Sequence, residues 1–150
     1  MIEVTKIVEW DMGHRVPNHK SKCRNPHGHR YRLEVTVGGP VLSDAGSSSE
    51  GMVIDFSDIK AVITEKVHDV LDHGFMLYEG DAIMNRLLNE EANGKENCDF
   101  IVITVPFIPT AENIVRWCHD QIKDHLPEGT KATRLRLFET PNSWADYIAD

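Results

Sequence analysis

A chain of 150 residues with formal net charge −8 can bury the core of one domain, and it lacks the basic balance of a nucleic-acid binder. Apolar runs such as 101–105 are far too short to cross a membrane, and the opening Met-Ile-Glu-Val-Thr-Lys has no signal-peptide core. Cys23, Cys98 and Cys118 are odd in number and irregularly spaced, which predicts free thiols in a reducing cytoplasm.

In chain order, β-branched residues over 2–10 predict a first strand, which Gly13 ends beside His14. Two prolines with Asn, Lys and Ser make 15–26 an irregular loop that carries Cys23. Tyr31 to Val37 alternates cleanly and predicts a strand with one wet face, stopped by Gly38-Gly39-Pro40. A serine-rich loop over 43–51 leads to an extended piece and then a helix, capped by Asp55 or Ser57. Its apolar stripe is Phe56, Ile59, Val62, Ile63, Val67, Val70 and Leu71, and it ends near Gly74. A short helix over 81–90, a polar loop over 91–99 and a strand-like run over 100–105 follow.

Thr110 then caps a second long helix with Glu112 in its first turn, and Ile114, Val115, Cys118, Ile122 and Leu126 form its stripe. The final strands are expected over 131–138 and 144–148. The whole, residues 1–150, reads as one α+β domain: a four-stranded antiparallel sheet in β-β-α-α-β-β order, with helices on one face.

The chemistry concentrates between His14 and His29. His27 and His29 lie two apart at the start of a strand, so both imidazoles point to one face, and His14 can meet them from a neighbouring strand. Three imidazoles with a fourth position open are the ligand set of a catalytic zinc. A lone His-Gly-His is weak evidence. The added upstream His14 and Cys23 make a metal site the better reading, with Cys23 a base near the metal, a fourth ligand or a spare loop cysteine. Asp72-His73 offers a proton-transfer pair, or simply a histidine favoured at a helix C-terminus. Glu139 can accept paired N–H donors from a guanine-like ring edge, or be an exposed strand-end acid.

Taken together, Cys23-Arg-Asn-Pro-His-Gly-His29 with His14 upstream, Gly51-Met-Val-Ile-Asp-Phe56, Leu71-Asp-His73, Pro109-Thr-Ala-Glu-Asn-Ile114 and Phe138-Glu-Thr-Pro141 resemble the 6-pyruvoyl-tetrahydropterin synthase superfamily. The motifs keep the family's order and cover nearly the whole chain. The resemblance implies the tunnelling fold (T-fold): three subunits pool their sheets into a barrel, and two trimers stack as a homohexamer with active sites at subunit interfaces. It implies zinc on His14, His27 and His29, Cys23 as general base, and Asp72 with His73 as a proton relay drawn from a neighbouring subunit. It also implies a pterin anchored by Glu139, with Thr110 and Glu112 lining the pocket.

Three residues between the cysteine and His-Gly-His resemble the bacterial 6-carboxytetrahydropterin synthases of queuosine biosynthesis, which act on a dihydropterin triphosphate. The rival readings are a 6-pyruvoyltetrahydropterin synthase and a non-catalytic pterin- or zinc-binding module. The chain departs from the family pattern at Trp10–Gly13, at Gly74–Leu77 after Leu-Asp-His, and in a longer connection from Tyr78 to Pro109.

Overall fold

The computed structural model describes residues 1–150. Strand β1 (Ile2–His14) and strand β2 (His27–Gly39) pair antiparallel along their full length, from Ile2 opposite Gly39 to His14 opposite His27. Alternation decides which side chains face inward: Trp10, Met12 and His14 on β1, and Tyr31, Leu33, Val35 and Val37 on β2, are all buried. Strands β5 (Lys131–Thr140) and β6 (Ser143–Ile148) extend the sheet antiparallel beyond β2, with Leu135 and Leu137 adding to the same core.

Helix α1 (Phe56–Ile63) starts at Asp55, whose carboxylate accepts from the Ser57 amide at 2.7 Å. It runs through a wider π-helical turn (Thr64–His68) into α2 (Asp69–Leu71). The fully buried residues here are Ile59, Ile63, Val67 and Leu71, spaced by four. In a regular helix that spacing drifts around the axis; the wider turn corrects the phase and keeps the stripe on the sheet. Phe56 and Val70, expected in the stripe, are exposed instead. Helix α4 (Ala111–Ile122) buries Ile114, Val115, Cys118 and Ile122 as its periodicity predicts and packs on β5 and β6. No helix is long and apolar enough to cross a membrane.

The expectation of four antiparallel strands is corrected. The sheet has six strands in the order β4-β3-β1-β2-β5-β6, and one end of it is parallel. β3 (Phe75–Tyr78) meets β1 at Gly13 opposite Phe75 and pairs parallel with β4 (Val102–Val105) from Phe75–Val102 to Tyr78–Val105. A parallel neighbour needs a crossover, and α3 (Ala82–Asn85) with its wider continuation Arg86–Glu91 supplies it. The long connection after Tyr78 is therefore a β-α-β unit that adds an edge to the sheet. Phe75-Met-Leu-Tyr78 escaped notice because so short an apolar run has no alternation to read.

The sheet face opposite the helices carries paired charges. Asp146 accepts from Arg136 Nε at 2.8 Å and Nη2 at 3.0 Å, and from Arg134 Nη2 at 2.8 Å. The Arg136 hydrogen bonds, with Arg134 adding to them, hold the Asp146 carboxyl at about 2 instead of 3.8. In the unfolded chain this group takes its proton first as pH falls. Its stabilisation is thus present above 3.8 and is lost as pH drops through about 2. With a quarter of the side chain in solvent, the contribution is about 1 kcal/mol. Asp146→Asn should lower denaturant stability by that amount at neutral pH, and the gap to wild type should close on acidification through this window. A gap independent of pH would remove the ion pair as its cause.

Candidate metal centre

The β1–β2 register sets His14 directly against His27, and the strand period puts His29 on the same face. Ring centroids lie 4.7 Å apart for His14–His27, 5.2 Å for His14–His29 and 4.8 Å for His27–His29. Gly13 and Gly28 face each other in this register; a Cβ on Gly28 would sit 3.1 Å from the Met12 carbonyl oxygen, a tight approach that a larger residue could make only if the backbone gave by a few tenths of an ångström.

Hydrogen bonding selects the tautomers. His14 Nδ1–H donates to the Pro109 carbonyl at 2.7 Å, and His27 Nδ1–H donates to the Asn25 carbonyl at 2.6 Å. The Nε2 lone pairs of both rings are thereby turned toward a common centre. His27 Nε2 lies 3.1 Å from His29 Nε2, and one ligand nitrogen from each of the three rings falls within 4.8 Å of the others. His14 Nε2 is buried without any hydrogen-bond partner. Burial also holds His14 at about 4, so it is neutral at physiological pH. A buried, neutral His14 whose Nε2 has no partner converges with His27 and His29, and backbone carbonyls hold His14 and His27 from behind, as metal-ligating histidines require. The three rings could hold a metal ion, and imidazole donors suit zinc.

Glu139 stands beside this cluster, its Oε1 3.6 Å from His29 Nε2. It continues the inward parity of Leu135 and Leu137 and lies at an irregularity in the β5–β6 pairing, between Phe138 and Thr140. Burial lowers His29, while the Glu139 carboxylate opposes that shift. A cleft of about 400 Å³, bounded by Arg32, Phe138 and Thr140, opens between His29 and Glu139.

On the other side of His29 a second cleft, of about 430 Å³, is lined by Asp11, Gly28, Arg30 and His73. Asp72 Oδ2 lies 3.0 Å from His73 Nδ1, and Asp72 Oδ1 accepts from the Asp11 amide at 3.1 Å. The His73 amide donates to the Asp11 carbonyl at 2.7 Å, so the pair is moored to β1. His73 has φ of +64° at the end of a helix, a left-handed position that glycine usually takes, and its ring is largely exposed. Through His73 the pair borders this cleft.

Cys23 sits half-buried in a 3₁₀ turn, Lys22–Arg24, and its carbonyl accepts from the Val16 amide at 2.9 Å. Its thiol is not among the ligand atoms that converge with the three imidazoles. The Thr110 hydroxyl is engaged as the cap of α4, accepting from the Asn113 amide at 3.3 Å, and Glu112 is exposed on the first turn. Cys118 is buried, which pushes its thiol up and leaves it inert.

One residue was missed. Tyr31 lies two beyond His29 on β2, fully buried, with its ring centroid 5.6 Å from that of His29 and 6.0 Å from that of His14. Trp10 stacks beneath it at 5.9 Å. The His29-to-Tyr31 spacing is the same two-residue period that links His27 to His29, and it was the available signal.

Residues 3–150 match the family described as 6-pyruvoyl tetrahydropterin synthase. The chain belongs to that family. It is 32% identical over 149 residues to the 6-carboxy-5,6,7,8-tetrahydropterin synthase of Haemophilus influenzae, covering 98% of this chain and 99% of the relative. Identity to the enzyme of the same name from Rickettsia bellii is 34% over 148 residues, covering 97% and 99%. Among solved structures, an uncharacterized protein from Wolinella succinogenes superposes with a TM-score of 0.82 at 22% identity, covering 99% and 98%. The Caenorhabditis elegans 6-pyruvoyl tetrahydropterin synthase superposes with a TM-score of 0.68 at 19% identity, covering 99% and 96%. These structures share the fold. Of the residues that carried the sequence resemblance, His14, His27, His29, Asp72, His73 and Glu139 fall at or near the ends of β1, β2, α2 and β5, whereas Cys23 lies in the turn before β2 and 51–56 and 109–114 lead into α1 and α4.

Proposed function

We propose that this chain is a zinc-dependent 6-carboxytetrahydropterin synthase. It would convert 7,8-dihydroneopterin triphosphate, with uptake of water, into 6-carboxy-5,6,7,8-tetrahydropterin, acetaldehyde and triphosphate. The observation that carries the reading is the convergence of three imidazoles with His14 Nε2 buried and unsatisfied. Relatives of matching length that bear this enzyme's name support it.

His14, His27 and His29 would hold the zinc, which when bound supplies Lewis acidity at the side-chain oxygens of the substrate. Cys23 is assigned the role of base that moves carbon-bound protons. Asp72 orients the His73 ring through Nδ1, leaving Nε2 to take or give a proton as triphosphate departs and the carbon–carbon bond breaks. Glu139 would accept the paired N–H donors of the pterin edge, with Thr110 and Glu112 near the pocket rim. The reading includes a cytoplasmic enzyme of one domain, assembled as a T-fold homohexamer of two trimers, with the open charged sheet face turned inward.

Mass spectrometry of products from zinc-loaded protein and dihydroneopterin triphosphate tests the reading. A 6-carboxytetrahydropterin mass with acetaldehyde is expected. A 6-pyruvoyl product would move the chain to the triphosphate-eliminating branch, and unchanged substrate would leave a pterin- or zinc-binding module.

A further inference from the structure

We propose that Arg15 and Asp81 form a clasp that positions the turn bearing Cys23, making both of them positioning residues for the proton transfer assigned to that thiol. This rests on the reading of Cys23 as base.

Arg15 directly follows the buried His14 at the end of β1. Its guanidinium reaches in two directions. Nε and Nη2 grip both oxygens of Asp81, at 2.5 Å and 2.8 Å, while Nη1 donates to the carbonyl of Arg24 at 3.2 Å. Arg24 is the residue after Cys23. One planar fork therefore joins the end of the ligand strand, the cysteine turn and the β3–α3 junction.

Asp81 is built to receive it. Only 2% of its side chain is exposed, and Oδ1 also accepts from the Met84 amide as the cap of α3. The Asp81 amide in turn donates to the Tyr78 carbonyl at 2.9 Å, which sets the carboxylate directly after β3. Burial alone would raise this carboxyl; the Arg15 hydrogen bonds outweigh it and keep the group ionised.

A loop that only needed closing would not require a desolvated carboxylate. Such pairs are costly to bury and bring orientation more than stability. The orientation here is given to a turn that the backbone bond from the Val16 amide to the Cys23 carbonyl ties to the segment just beyond β1. The partner comes from the start of the β-α-β connection, which thus acquires a role beside the site.

The test uses full-length zinc-loaded protein with Asp81→Asn and Arg15→Lys. The first keeps shape and loses the charge; the second keeps the ion pair and loses the fork to Arg24. Three readouts are taken on each: hydrogen exchange over 16–25, iodoacetamide labelling of Cys23 followed by peptide mapping, and the split between kcat and KM. Both variants should retain zinc and a cooperative unfolding transition, with exchange and labelling changed only in the cysteine turn. In both, kcat should fall by about 10- to 100-fold with KM within about twofold, the cost of a misplaced group. Unchanged exchange and labelling in both variants would overturn the clasp, as would a loss of kcat without any loosening of the turn. Should wild-type protein fail to turn over dihydroneopterin triphosphate, the exchange and labelling results still decide the clasp, and the failure falls on the proposed function alone. Should Asp81→Asn not fold, Arg15→Lys decides by the same readouts.

Discussion

Replacing His27 by alanine is expected to abolish zinc binding and turnover while leaving the fold in place. His27 faces His14 across the β1–β2 pair and lies 3.1 Å from His29 through the ring nitrogens, so it is the shared neighbour of the other two ligands. Loss of groups that merely orient a ligand weakens metal affinity about 10- to 100-fold, so removal of the ligand itself should exceed that. Its half-buried ring contributes little to the apolar core, which is built from Trp10, Leu33, Leu135 and their neighbours. Metal analysis should find zinc at stoichiometry in wild type and absent from His27→Ala. A ligand bound only to the native state raises its stability, so added zinc should raise the wild-type Tm and leave that of the variant unmoved. A variant that keeps both its zinc and the thermal shift would dismantle the metal centre drawn here.

The second large effect is expected at Cys23. Cys23→Ala should retain zinc, Tm and hydrogen-exchange protection, while kcat falls by about a hundred- to ten-thousandfold, the usual contribution of a positioned acid or base. The thiol belongs to a turn outside the imidazole cluster, and the cluster is already supplied with three convergent nitrogens. Loss of zinc along with activity would make Cys23 a fourth ligand and the site a closed, structural one. Full activity without the thiol would remove it from the mechanism. Comparing the two variants separates binding of the metal from movement of protons, since His27→Ala should lose both and Cys23→Ala only the second.

Residue patterns alone marked out much of this protein. The His-Gly-His spacing marked His27 and His29 for one face of a strand, because a two-residue period on a strand is a geometric instruction that needs no tertiary context. The long helices were legible for the same reason: Thr110 and Asp55 are caps whose side chains have one useful acceptor role, and Ile114 to Ile122 repeat at helical spacing. Three things were decided only by the folded chain. Short β3 joins the sheet because β1 offers it an edge, and no local pattern in Phe75–Tyr78 encodes that pairing. The tautomers of His14 and His27 depend on carbonyls, one of them at Pro109, far along the chain. The bond from Arg15 to Asp81 spans 66 positions of sequence and joins two residues that look, in isolation, like ordinary surface charges. Local periodicity is written residue by residue, whereas register, desolvation and the partner of a buried charge exist only once distant segments have met.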